Sequence, residues 1–366
     1  FFKAYTPASG AELWKSDGTP AGTTLITDIY SGTLGGLIDE LTDVNGTLFF
    51  RADNGRTGLE VWQSDGTAAG TLPVADINPG PAGSVPHELT NLNGTLLFIA
   101  DDGIGGAELW KSNNITTTLV KEIVPGPNDA APGDLTKVGG RLFFTADDGS
   151  GGRALWKSDG TSTGTTLVKD ISVAGGAAPG GLTDVNGTLF FTADDGSGVE
   201  LWKSDGTPAG TLLVRDINPG AAGSYPESLT NVNGKLFFTA DDGASGRELW
   251  ESDGTQAGTV RIKDISPGAS SSAPAELLNA KGMLVFTADD VISGAELWTS
   301  DGTSAGTMMV QDIAPGAANS NPARLTVSGD LVFFGANSGD GQELWAAPIP
   351  SSAPARRYVY LPLARR

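Results

Sequence analysis

Residues 227–265 read ESLTNVNGKLFFTADDGASGRELWESDGTQAGTVRIKDI, and this stretch decides the fold. It contains four short, apolar, β-prone runs: Ser228 to Val232, Lys235 to Ala240, Arg247 to Ser252 and Thr259 to Ile265. Asn233-Gly234, between the first two, is the strongest two-residue hairpin signal, because both central residues of a type I′ turn need positive φ. The same kind of turn recurs at Asn45-Gly46, Asn93-Gly94, Gly139-Gly140, Asn186-Gly187 and Lys281-Gly282. An Asp-Asp-Gly loop joins the second run to the third. A loop from Asp253 to Gly258 joins the third to the fourth, its Asp suited to accept backbone N–H groups and its glycines to left-handed backbone. The longest connection runs from Ile265 through Ser266-Pro267-Gly268 to Ala275 and is expected to cross from the outer edge of one sheet to the inner strand of the next. Since successive hairpins alternate faces, the Asp-Asp-Gly loops should share a face with these links, the face that usually carries ligands.

Repetition extends this unit over the chain of 366 residues. Trp14, Trp62, Trp110, Trp156, Trp202, Trp250, Trp298 and Trp345 are all eight tryptophans, separated by 48, 48, 46, 46, 48, 48 and 47 residues. A period in the forties with four short strands per unit predicts an all-β propeller of eight blades, each of four antiparallel strands, over 1–347. The ends are unequal. The Phe-Phe and Glu-Leu-Trp strands occur eight times, but the Leu-Thr-x-Val and Asp-Ile strands only seven, so the first blade lacks its inner strand and the last its outer one. After a Pro/Ser linker from 348, the tail offers Tyr358, Val359, Tyr360, Leu361 and Leu363 as a strand to complete the ring, with Pro362 limiting it to an edge. Arg356, Arg357, Arg365 and Arg366 make that tail basic against an acidic body, which favours docking without setting register. Closure of its own ring is favoured over donation to a neighbour, because a local strand loses less entropy.

Composition bounds the setting. With 43 acidic and 23 basic residues the net charge is −20, which disfavours nucleic acid. The absence of cysteine excludes disulfides, thiol catalysis and Cys-ligated zinc. No apolar run approaches the roughly 20 residues of a spanning helix, so no membrane span is expected. The chain opens at Phe1-Phe2-Lys3-Ala4, inside a repeat, and any export signal is expected to be absent from it.

The repeat Glu-Leu-Trp-Lys-Ser-Asp-Gly-Thr-x-x-Gly-Thr, followed by Val-x-Asp-Ile-x-Pro-Gly, resembles the ELWxxDGT repeat family of secreted bacterial proteins over residues 1 to about 347. The motif stands nearly intact at Glu12, Glu200, Glu248 and Glu296. The resemblance implies export and a propeller-like array, and no established chemistry. The third unit departs from it, with Asn113-Asn114-Ile115-Thr116 in place of the Asp-Gly-Thr turn. The fourth has Ala154 for Glu, which argues that this glutamate is not individually essential to the fold.

Candidate chemistry centres on the acidic loops: Asp101-Asp102, Asp147-Asp148, Asp194-Asp195, Asp241-Asp242 and Asp289-Asp290. Paired carboxylates before a glycine can bind calcium, the one cofactor candidate, although ordinary turn chemistry explains the same residues. Near-equivalent loops offer no distinguished carboxylate pair for a glycosidase. His87, the single histidine, falls in an interblade link with no Ser-His-Asp companions. The tryptophans alternate with polar residues and are expected to pack between blades rather than form a sugar platform. These readings rank a non-catalytic structural or assembly protein of the bacterial cell surface first, with copies of itself or other surface proteins as partners and strand donation by its tail left open as a route to a polymer. A binding module for surface glycans or calcium ranks second, and a hydrolase third.

Overall fold

The computed structural model describes residues 1–113, 115–126, 128–150, 152–171 and 179–349. Among them there is no helix, and thirty strands form eight antiparallel sheets. The sixth sheet shows why. Its strands, Glu227–Val232, Lys235–Asp241, Arg247–Ser252 and Val260–Lys263, follow the four predicted runs within a few residues and meander in chain order. Asn233 and Gly234 turn the first hairpin at φ of 52° and 80°. The Asn231 side chain accepts the Gly234 N–H, closing the turn with a residue of its own strand.

Six sheets have four strands. The first has three, Phe2–Thr6, Gly10–Lys15 and Thr24–Leu25, and so does the last, Ala323–Ser328, Leu331–Asn337 and Gln342–Pro348. The missing strands are the inner one at the start and, among the described residues, the outer one at the end, as counting motifs predicts. The tail residues Arg356, Arg357, Tyr358, Val359, Tyr360, Leu361 and Leu363 lie outside the described residues. His87 is corrected from link to strand: it opens the first strand of the third blade, opposite Ile99.

The chain divides into two compact units, Phe1–Pro179 and Gly180–Arg366, each holding four sheets. Within each unit the core lies between successive sheets. Phe237 and Phe238, adjacent on one strand, point to opposite faces. Phe238 packs with Leu201, Val214 and Leu236, while Phe237 packs with Leu284, Phe286 and Trp298. The sixth sheet is thus covered on both sides, which is why its Leu-Phe-Phe run shows no polar alternation. The tryptophans lie against the phenylalanine of their own sheet, Trp250 at 6.5 Å from Phe238 and Trp156 at 6.3 Å from Phe144.

Polar side chains tie neighbouring blades. Lys263 donates to the Thr307 carbonyl at 2.8 Å with its ammonium 5.8 Å from the Trp298 ring, and Lys121 does the same to Thr165 and Trp156. At the inner edge the first strands of successive sheets pack together. A bulge there places Glu40, Glu88, Asp134, Ser228, Glu276 and Arg324 in left-handed backbone. From this bulge Glu88 accepts the N–H groups of Asp134 and Leu135 in the next blade.

Candidate functional site

The glutamate of Glu-Leu-Trp is the buried polar centre of a blade. Glu60, Glu200, Glu248 and Glu296 are fully buried or nearly so. Each is held by four hydrogen bonds from the link that follows. Glu200 accepts the N–H groups of Ile217, Asn218 and Ser224 at 3.1, 3.2 and 2.8 Å and the Ser224 hydroxyl at 2.6 Å. A carboxylate can sit in such a place only with its lone pairs met. It clamps both ends of the link against the third strand. Burial nevertheless raises its pKa above the usual carboxylate value, against the pull of the serine and backbone donors. From Ala154 the sequence argues that this glutamate is not individually essential to the fold. The link serving Ala154, at 172–178, lies outside the described residues. A sequence signal for the clamp existed: a serine 24 residues after the glutamate, two before a proline, at Ser84, Ser224, Ser272 and Ser320.

The aspartate pairs are loop formers. Asp241 accepts the Gly243 N–H, and Asp242 those of Ala244 and Ser245. Asp101 and Asp102, Asp147 and Asp148, Asp194 and Asp195, and Asp289 and Asp290 repeat this use of each carboxylate. Among the described residues no three acids or histidines gather as metal ligands. The loops do share a face with the interblade links, as predicted: Asp241 N–H bonds the Ser224 carbonyl and Asp101 N–H that of Ser84. In the interblade links of the first unit Leu37 and Val85 are exposed, in left-handed backbone just ahead of Ile38 and Pro86, and in the second unit Tyr225 is exposed in the same way ahead of Pro226. The His87 ring nitrogen Nδ1 lies 3.1 Å from the Val85 carbonyl.

The third blade is different on this face, where the repeat comparison placed its departure only on the opposite turn. Ala130 stands where Ser84, Ser224, Ser272 and Ser320 stand, so among the described residues Glu108 lacks the serine hydroxyl that Glu60, Glu200, Glu248 and Glu296 receive. Its bonds are those from Ile123 at 3.1 Å and Val124 at 3.5 Å. With burial dominant and Glu122 and Asp129 adding repulsion, its pKa is pushed up to about 7. Beside it opens a cleft of about 210 Å³ lined by Asp102, Ile104, Glu108, Trp110, Leu119 and Glu122. Asp102 comes from the acidic loop, Glu108 and Trp110 from the third strand, and Leu119 from the fourth. Trp110 is only half-buried, unlike Trp62, Trp156, Trp202, Trp250, Trp298 and Trp345, which are buried. The structure therefore unites one predicted acidic residue, Asp102, with two carboxylates that motif reading passed over. Substitutions that are unremarkable one at a time, Ala for Ser and Glu for Asp, act together only after folding.

No family model and no curated protein matches the sequence. Solved structures match its fold. One is from a study of two prolyl endopeptidases and the role of inter-domain dynamics in their catalysis and specificity. It superposes with a TM-score of 0.51 at 14% identity, over 85% of this chain and 48% of that one. A puromycin hydrolase gives 0.46 at 15%, over 97% and 58%, and a puromycin-hydrolyzing peptidase of Mycobacterium tuberculosis 0.46 at 10%, over 94% and 55%. This chain spans about half the length of the solved chains it matches. At these identities the likeness shows the fold. The fold is a β-propeller.

The functional ranking drawn from the repeats is corrected by the same finding. It placed a cell-surface assembly protein first, a glycan or calcium module second and hydrolysis last, whereas the structure on which this chain superposes with a TM-score of 0.51 comes from a study of prolyl endopeptidases. Near-identity of the blades, the argument for assembly, has a local cause. Each blade must seat a tryptophan and at least one phenylalanine between strands that repeat the same local packing, and most seat a glutamate too, so the repeats are alike whatever the molecule does. No described helix is long and apolar enough to cross a membrane.

Proposed function

We propose that the chain is the propeller of a peptidase-related protein, that it holds polypeptide on the face carrying the interblade links, and that peptide-bond cleavage belongs to groups outside these blades. The observation that carries this reading is the superposition of 85% of the chain on 48% of a prolyl endopeptidase, in a system where inter-domain dynamics bear on catalysis and specificity. Two features of the face support it. In the first unit Leu37 and Val85 display apolar side chains from strained backbone, the kind of conformation that collects at binding sites. The third-blade cleft opens on the same side. The ELWxxDGT resemblance supports placing this work outside the cell.

The test uses the full chain and reduced, carbamidomethylated lysozyme as an unfolded polypeptide, with binding read by fluorescence anisotropy and cleavage by mass spectrometry. Saturable binding without new chain ends is the expected result. Absence of binding, or cleavage by this chain alone, overturns the proposal.

A further inference from the structure

The sixth blade contains an internal reference for the third-blade cleft. Arg261 pairs across the strands with Trp250, as Leu119 pairs with Trp110. Its guanidinium lies 3.7 Å from Asp242 and 3.8 Å from Asp264. Asp242 and Asp102 are the same position, since each accepts the N–H groups two and three residues on. Asp264 and Glu122 also correspond, each following a lysine that reaches a threonine carbonyl of the next blade. Blade six therefore shows a guanidinium seated between the two carboxylate positions that flank the cleft of blade three. Trp250 beside it is only 4% exposed.

In blade three no residue lining the cleft is basic. Leu119 cannot reach the carboxylates with a charge, and Trp110 is left partly uncovered. Glu122 is one methylene longer than the aspartate it replaces, and Glu108 adds a buried carboxyl without its serine donor. A long aliphatic stem ending in a cation matches this lining: carboxylates for the head, indole and leucine for the stem.

We propose that the third-blade cleft binds an arginine or lysine side chain of a polypeptide, its cationic head between Asp102 and Glu122 and its stem along Trp110 and Leu119. This rests on the proposed function for the polypeptide, and on the Arg261 geometry for the cation. The net charge of −20 favours approach of such a partner and disfavours an acidic one.

Acetyl-Gly-Arg-Gly-amide is titrated into the full chain by calorimetry, beside the same peptide with citrulline for arginine. Both titrations are repeated with Leu119→Arg, whose folding is checked by its melting curve. The arginine peptide should bind, the citrulline peptide at least about tenfold more weakly. The variant should lose binding, because its own guanidinium fills the cleft as Arg261 does in blade six. Equal affinity for citrulline, undiminished binding by the variant, or no binding of the arginine peptide overturns the assignment. If Leu119→Arg does not melt cooperatively, Glu122→Gln replaces it, with a roughly tenfold loss expected and unchanged affinity counting against the pocket. The unfolded lysozyme separates the two proposals. Lysozyme bound equally by wild type and variant keeps polypeptide recognition and removes the cleft from it. Arginine peptide bound without lysozyme keeps the pocket and removes the proposed function.

Discussion

At the scale of single residues, the buried glutamate shows how one substitution changes a site's chemistry. Glu248 receives the Ser272 hydroxyl at 2.6 Å, while the blade of Glu108 has Ala130 at the serine position. Ala130→Ser should supply that donor. It is expected to lower the Glu108 pKa and raise stability by about 1 kcal/mol, measurable by urea denaturation. The pH dependence has a definite sign. Glu108 moves from 4.5 to about 7 on folding, so between those values the folded chain holds a proton that the unfolded chain has released. Its contribution is full below the lower value and is lost as pH rises through the upper one. Stability should therefore fall across this window, and Glu108→Gln should flatten the slope there. An unchanged slope in the variant would remove Glu108 as the cause. The Asp-Gly-Thr aspartates act oppositely and lower down: threonine hydroxyls hold Asp159 and Asp253 below 3.8, so their contribution is lost as pH falls through that region.

At the scale of elements, turns were the most legible part of the chain. Asn233-Gly234 has positive φ at both residues because a type I′ turn, whose twist matches that of the flanking strands, requires it and Asn and Gly tolerate it. In the turn between the third and fourth strands Asp253 accepts the N–H and hydroxyl of Thr255, and the Thr255 hydroxyl accepts the Gly258 N–H. A Cβ on Gly258 would lie 2.1 Å from the Asp253 carboxylate. Gly258→Ala should displace that carboxylate and cost about 1–2 kcal/mol, seen as a lower denaturation midpoint with unchanged slope. Contacts between blades were not legible in the same way. Lys263 reads as one more charged residue in a strand, yet it bridges to Thr307 and Trp298. Lys263→Met should keep the stem and lose the head, costing about 1 kcal/mol. A midpoint equal to wild type would show that the ammonium adds nothing to the stem's packing.

At the scale of the whole molecule, charge acts against compactness. A net charge of −20 sets like charges closer in the folded chain than in the unfolded one. Raising sodium chloride from about 10 to about 300 mM should screen this and lift the melting temperature by a few degrees. A fall would mean that ion pairs such as Lys281–Asp330 outweigh the repulsion. The all-β class, the eight blades and the unequal first and last sheets followed from the sequence alone, because periodic tryptophans, Asn-Gly turns and short apolar runs are local signals whose meaning depends on neighbours in the chain. The clamp on Glu200, the half-covered Trp110 and the seating of Arg261 were decided only by tertiary structure. Each depends on residues roughly 10 to 25 positions apart meeting in space, where burial and hydrogen-bond supply, not residue type, determine what a carboxylate can do.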